Sequence, residues 1–173
     1  MNLLNFNNWI RLTENTEAST DYSTNNLDVT QYRNGDPIPF IESSETWSEL
    51  TTGAYCYYYG EPEKGILYNW YAVNDPRGLA PVGWKIPTID ELEKIDLTGG
   101  PSGKRVYVGN YLNINSDRYF WSSTELDKKY AWNYTLTIFY NNVSREDSDK
   151  RNGLSVRCIP DFDDAMLNLV SDF

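Results

Sequence analysis

Two short runs near the end of the chain decide its fold: residues 119–123, YFWSS, and residues 130–140, YAWNYTLTIFY. Aromatic and β-branched side chains dominate both runs, and such residues favour extended strands. A third run of this kind, LSVRCI, covers residues 154–159. The stretch 141–153 is polar and carries both charge signs, so we expect a loop there. The final third of the chain therefore predicts a small β-sheet.

Helical signals lie in the middle of the chain, before the predicted sheet. In the stretch 87–95, Thr88 and Glu91 have the spacing of a capping box, in which each side chain accepts from the other's backbone N–H. The stretch 65–73 predicts a second short helix, which ends at the turn residues 74–76. Together with the strands, these two helices predict an α+β fold.

The composition narrows the functional classes. The chain has 173 residues and a formal net charge of −10, and so acidic a surface repels nucleic acid and anionic membranes. It contains no histidine, which removes Ser-His and Cys-His nucleophile pairs, imidazole metal sites and the usual general base near neutral pH. No run of about 18 apolar residues is present, so we expect no membrane insertion.

The two cysteines, Cys56 and Cys158, leave two interpretations open. They lie far apart in the sequence, and they form either one disulfide or two buried thiols. No CxxC pair is present, so a zinc site built on thiolates is not expected.

The two ends of the chain differ from its centre. Residues 1–26 are rich in Asn, Thr and Ser and predict an arm or linker. Residues 161–173 place apolar side chains at helical spacing from Phe162 onward, the pattern of an amphipathic helix that packs on the domain or on a partner. The start lacks the pattern of a secretory signal. We expect an extracellular or virion surface location, reached after removal of a signal or by another route.

Six segments of the central region carry a family pattern. They are 29–39 (VTQYRNGDPIP), 53–58 (GAYCYY), 65–73 (GILYNWYAV), 81–88 (PVGWKIPT), 120–124 (FWSST) and 153–158 (GLSVRC). In this order they resemble the Fibrobacter succinogenes major paralogous domain family, over residues 27–160. The resemblance implies a C-type-lectin-like fold, with two short helices and a small twisted antiparallel sheet with long loops. The family often has a cysteine at the place of Ala80, so a disulfide there is lost.

The same resemblance implies a binding domain and not an enzyme. Calcium-binding lectins of this fold carry Glu-Pro-Asn or Gln-Pro-Asp followed by Trp-Asn-Asp, whereas this chain has EPE at 61–63 and WNY at 132–134. Calcium needs six or more oxygen ligands, which these segments do not supply. The paired active-site cysteines of the formylglycine-generating enzyme have no counterpart here. We therefore expect no metal, no cofactor and no catalytic residue.

Candidate ligand-binding residues lie on the late strands and in the loop after them. If residues 130–134 form a strand, Tyr130, Trp132 and Tyr134 share one face. Three aromatic rings on one face suit stacking on sugar rings or a protein hot spot. The alternative is that these rings fill the core under the loops. The remaining candidates, expected at the surface, are Tyr140, Asn141, Asn142 and Arg145.

Two functions follow from these expectations. The first is a non-catalytic recognition or adhesion module that binds a glycan or a protein on a cell surface. The second is a structural or decoration subunit of a virion or another large assembly, docked through residues 1–12 and 162–170. The two differ in where those apolar terminal side chains pack, which is on their own domain for a binder and on a neighbouring subunit for an assembly protein.

Overall fold

The structure describes residues 24–100, 103–113, 115–137 and 142–162. In these ranges short helices alternate with short strands. This computed structural model confirms the α+β class. Its helices are α1 (Ser44–Ser48), α2 (Trp70–Val73) and α3 (Ile89–Leu92), with 3-10 helices at Tyr58–Gly60 and Pro62–Lys64. Its strands are β1 (Tyr55–Tyr57), β2 (Ile66–Tyr68), β3 (Trp84–Lys85), β4 (Lys104–Arg105), β5 (Tyr111–Leu112), β6 (Asp117–Glu125), β7 (Tyr130–Thr137), β8 (Asn142–Asp149) and β9 (Ile159–Pro160).

The largest sheet joins β6, β7 and β8, in that order, by antiparallel pairing. The loop expected over residues 141–153 is therefore wrong, because most of that stretch is strand β8. It lacks alternating apolar residues because β8 pairs with β7 through its backbone while most of its side chains stay exposed. Tyr140 and Asn141 lie outside the described residues, as do positions 1–23 of the predicted arm and 163–173 of the predicted tail.

Single bridges extend this sheet toward the first half of the chain. Phe120 of β6 bridges Ser155, and the neighbouring Leu154 bridges Tyr68 of β2. β2 in turn pairs antiparallel with β1. The late strands and the tyrosine-rich strand β1 thus belong to one continuous hydrogen-bonded surface.

Two buried tryptophans join the β2–α2 segment to this sheet by hydrogen bonds in both directions. Trp70 of α2 donates its indole N–H to the carbonyl of Ser122 in β6 at 2.9 Å. Trp121 of β6 donates its own indole N–H to the carbonyl of Tyr68, also at 2.9 Å. Both indoles belong to the main hydrophobic cluster, so each buries a large apolar area while its polar atom is satisfied.

The helix predicted over 65–73 is only half correct, because Ile66–Tyr68 form β2 and the helix begins at Trp70. The change occurs at Asn69, whose side chain is fully buried. Its Oδ1 accepts from the backbone N–H of Ala72 in α2 and from that of Ala54, both at 3.0 Å. Residues 66–68 form a strand because they pair with β1. Local periodicity does not reveal this pairing, since the two strands are separated in the sequence.

The other two helices have well-defined starts. At α3, Thr88 accepts from the backbone N–H of Glu91, and the Glu91 carboxylate accepts from that of Thr88 at 2.8 Å. The predicted capping box is therefore confirmed. Helix α1, which was not predicted from the sequence, is capped by Ser43 and buries Trp47 completely.

Cys56 and Cys158 are free, buried thiols, so the disulfide interpretation is wrong. Cys158 lies in the main hydrophobic cluster, whereas Cys56 packs in a second cluster with Trp47 and Leu67. Burial raises the pKa of both thiols, that of Cys158 to about 12, and keeps them protonated and unreactive at neutral pH. In the part of the chain that the structure describes, no helix is long and apolar enough to cross a membrane.

Arg105 is a fully buried cation held by backbone carbonyl groups. Its guanidinium donates to the carbonyl oxygens of Ile41 at 2.8 Å and Glu42 at 2.6 Å. It also lies 4.5 Å from the ring centre of Trp47 and 5.4 Å from that of Tyr111. The side chain therefore fixes the segment before α1 against the β4–β5 hairpin, using hydrogen bonds strengthened by its charge.

Replacing Arg105 by lysine is expected to lower the free energy of unfolding by about 3 kcal/mol, because an ammonium cannot reproduce the planar set of donors. Urea denaturation measures the loss. Arg118→Lys is the control, since Arg118 is only partly buried and donates to one carbonyl, and we expect a change below about 1 kcal/mol. Equal stability of both variants would contradict the role assigned to Arg105.

Candidate functional site

The two faces of β7 differ in character. Tyr130, Trp132 and Tyr134 share one face, as the alternation predicts. Tyr134 is 6% exposed and packs with Leu92 and Phe120 beneath α3, and Trp132 packs against the same cluster. Tyr134 therefore serves the core, which is the alternative that the sequence left open. Tyr130 and Trp132 keep part of their surface exposed.

Arg145, a predicted binding residue, is engaged in ion pairs. It lies opposite Tyr134 in the strand pair, and its Nη2 is 2.8 Å from Asp90 Oδ1 and 2.5 Å from Glu93 Oε2. The hydrogen bond from Arg145 lowers the pKa of the Glu93 carboxyl. Arg145 thus ties β8 to α3. Asn142, at the start of β8, is exposed and lies on the opposite face of the sheet.

That opposite face carries Trp121 and Ala131 of the main hydrophobic cluster at one end and hydrogen-bonding side chains along the rest, which is termed here the polar face. Its rows follow the register of β6, β7 and β8. In one row Tyr119 lies beside Thr135, which lies beside Ser144. In the next row Trp121 lies beside Asn133, which lies beside Glu146. The polar face consists of Asp117, Tyr119, Asn133, Thr135, Thr137, Asn142, Ser144 and Glu146.

Asn133 is a buried amide whose hydrogen-bonding capacity is only partly used. It is 0% exposed, and its Nδ2 donates to Thr135 Oγ1 at 3.2 Å. Its Oδ1 has no partner among the residues that the structure describes. An unpaired buried polar atom costs about 1–3 kcal/mol, so a donor from water or a ligand is favoured at such a position.

Lys104 of β4 lies beside the polar face. Its Nζ is 4.1 Å from the ring centre of Tyr119. Burial lowers the pKa of Lys104, and the charges of Glu146 and Asp117 offset only part of that effect. Its ammonium has no hydrogen bond or ion pair with any described side chain. A partly buried ammonium without such a hydrogen bond or ion pair would be stabilised by an oxygen atom of a bound ligand.

A hydrogen-bond network fixes the rim of the polar face at Asp117. Asn113 Nδ2 donates to Asp117 Oδ2 at 2.8 Å and also to the hydroxyl of Tyr119. That hydroxyl donates to Asp117 Oδ2 at 3.2 Å. Burial raises the pKa of Tyr119 to about 12, so the phenol keeps its proton and can donate at neutral pH. Asn113 has a φ of 61°, a left-handed conformation in which asparagine is enriched.

The polar face combines donors and acceptors without an activated nucleophile. Lys104 supplies a cationic donor, while the carboxylates of Asp117 and Glu146 accept. Such a set matches a ligand rich in hydroxyl groups, because each hydroxyl both donates and accepts. Across the described ranges, no group of three or more carboxylate or thiol side chains is arranged to hold a metal ion.

The sequence contains a signal for part of this site. Asn133, Thr135 and Thr137 alternate with the aromatic residues of β7, so the stretch that predicts an aromatic face predicts a polar one equally well. Lys104 and Asp117 have no comparable local signal. They come together because the residue before Lys104 bridges the residue after Asp117.

Comparison with known proteins identifies the family. The model described as the Fibrobacter succinogenes major domain matches residues 18–104, which is half of the chain. The chain therefore belongs to this family, as its motifs predict. The motifs at 120–124 and 153–158 lie beyond the matched range. No curated protein and no solved structure matches the chain significantly.

Two lysines allow a matched test of the polar face. Lys104→Met is expected to leave the free energy of unfolding unchanged or slightly higher, because the ammonium is partly desolvated and has no described partner. Lys150→Met is expected to lower it by about 2 kcal/mol, because Lys150 is buried and donates to Glu125 and to the carbonyl of Asp127. Urea denaturation compares the two. An equal loss in both variants would mark Lys104 as a structural residue.

Proposed function

We propose that this member of the Fibrobacter succinogenes major domain family is a non-catalytic recognition module that binds its ligand on the polar face. The observation that carries the proposal is the ammonium of Lys104, which is partly buried against the ring of Tyr119 and has no hydrogen bond or ion pair with a described side chain. The unpaired Oδ1 of Asn133, buried beneath the same face, supports it. Both groups lower the stability of the free domain, and the Lys104 ammonium gains a hydrogen bond when a polar ligand binds.

The proposed architecture is that of a C-type-lectin-like domain. Short helices come first, and the antiparallel strands β6, β7 and β8 follow near the end of the chain. Extended segments without regular structure connect them. This order and the family membership support the assignment. Domains of this fold often bind ligands through their late strands.

A glycan is the ligand that the chemistry of this face favours. The exposed and half-exposed residues of its rim are polar, so an apolar peptide would find little to bury there. Neutral sugar hydroxyls can accept from Lys104 and donate to Asp117 or Glu146. The overall charge of −10 disfavours acidic polysaccharides.

A non-catalytic role agrees with the side chains available. The sequence contains no histidine, and both thiols are buried with raised pKa values. We place the module on an extracellular surface or a virion, where recognition of glycans or proteins takes place. The alternative role of an assembly subunit depends on residues 1–12 and 162–170, of which the structure describes only Phe162, whose side chain is 67% exposed.

The test is a glycan array probed with fluorescently labelled protein, followed by titration of the best ligand in the presence and absence of EDTA. The double variant Lys104→Met/Glu146→Gln is expected to weaken binding about tenfold or more, because each lost charged hydrogen bond is worth roughly 1.5–3 kcal/mol. Lys128→Met/Glu49→Gln has the same net charge and alters exposed residues elsewhere, so it should bind like the unmodified protein.

The outcome separates the candidate sites and functions. Loss of binding in Trp132→Ala, with Lys104→Met/Glu146→Gln unaffected, would place the site on the aromatic face and contradict the proposal. Loss with EDTA alone would point to a metal-dependent site. Failure to bind any glycan or cell would favour the assembly subunit.

A further inference from the structure

A second feature, remote in sequence from the polar face, is the conformation of Tyr59. It lies in the 3-10 helix Tyr58–Gly60 with φ 54° and ψ 24°, which is the left-handed region. This conformation costs roughly 1–2 kcal/mol in any residue with a Cβ atom. The Tyr59 side chain is nevertheless 50% exposed, so the cost is not explained by burial of its ring. Strained residues of this kind are concentrated at functional sites.

The ring of Tyr59 is held in place by its neighbours. It stacks on Tyr111 with 4.6 Å between ring centroids and an interplanar angle of 30°, and it meets Tyr58 edge-on at 5.3 Å. Those two rings are themselves fixed, because Tyr58 donates its hydroxyl to the carbonyl of Leu112 and Tyr111 donates to that of Tyr57. The face of Tyr59 turned away from Tyr111 is thus presented with little freedom to move.

The surroundings of this ring are acidic. A Cβ atom built on Gly60, the next residue, would lie 3.0 Å from Glu42 Oε1, so the Glu42 carboxylate lies beside the tyrosine turn. Arg105 anchors the same residue through the Glu42 carbonyl. Residues 42–64 contain five glutamates and one lysine, a formal charge of −4. That lysine, Lys64, is already paired with Glu61 at 2.8 Å.

We propose that Tyr59 and Glu42 form a receptor for a lysine or arginine side chain of a protein partner. The electron-rich face of an exposed tyrosine attracts a cation, and an adjacent carboxylate strengthens the attraction. The excess of glutamate over residues 42–64 steers a basic segment toward this surface. This site uses different residues from the polar face. Absence of peptide binding would therefore leave glycan binding at the polar face intact, and absence of glycan binding would leave peptide binding intact.

The experiment titrates the full chain with the peptide acetyl-Gly-Arg-Gly-amide, followed by NMR, with the citrulline peptide as an uncharged isostere. The arginine peptide is expected to shift signals of Tyr59 and Glu42, and the citrulline peptide to bind more weakly. Tyr59→Gly and Glu42→Gln should each weaken binding roughly two- to fivefold. Glu49→Gln removes an exposed glutamate of the same segment and should weaken binding by a smaller factor.

Stability provides the second readout. Tyr59→Gly and Tyr59→Asn remove the ring but suit the left-handed conformation, so both should keep an unfolding midpoint close to that of the unmodified chain. Unchanged peptide binding in these folded variants would overturn the proposal. Equal affinity for the citrulline peptide, or displacement of the arginine peptide by a neutral sugar, would overturn it as well.

Discussion

The fold depends on the two indole hydrogen bonds that run in opposite directions between β6 and the β2–α2 segment. Trp70 reaches forward to Ser122, and Trp121 reaches back to Tyr68. Because both donors are buried, separating the two elements would leave two polar groups unpaired in an apolar cluster. The position of β6 is therefore fixed relative to the first half of the chain. Backbone pairing of β7 with β6, and of β8 with β7, then fixes the positions of these two strands.

The aromatic face of β7 determines where its polar face points. Tyr134 must pack beneath α3, and a shift of one residue would turn every side chain of the strand to the other side. Burial of this aromatic ring thus sets the register that places Asn133 and Thr135 on the polar face. The ion pairs of Arg145 with Asp90 and Glu93 hold β8 in the same register from the edge. In this domain the core positions the candidate site, and Tyr119 belongs to both.

The features that the sequence predicts correctly are local. The capping box at Thr88, the strand starting at Tyr130 and the family motifs all depend on residues close together in the chain. The features that it misses depend on distant partners. β8 has no apolar pattern because its stability comes from pairing with β7, and Lys104 reaches Tyr119 only through the packing of separate segments. The left-handed backbone of Tyr59 has no sequence signal, since glycine or asparagine is normally found in that conformation.

The two thiols have a consequence for where this domain can fold. Cys56 and Cys158 lie in separate hydrophobic clusters, and neither cluster needs a covalent link. The described fold is therefore indifferent to the redox potential of its surroundings. The chain can reach this structure in a reducing compartment and retain it in an oxidising one, without help from disulfide-forming enzymes.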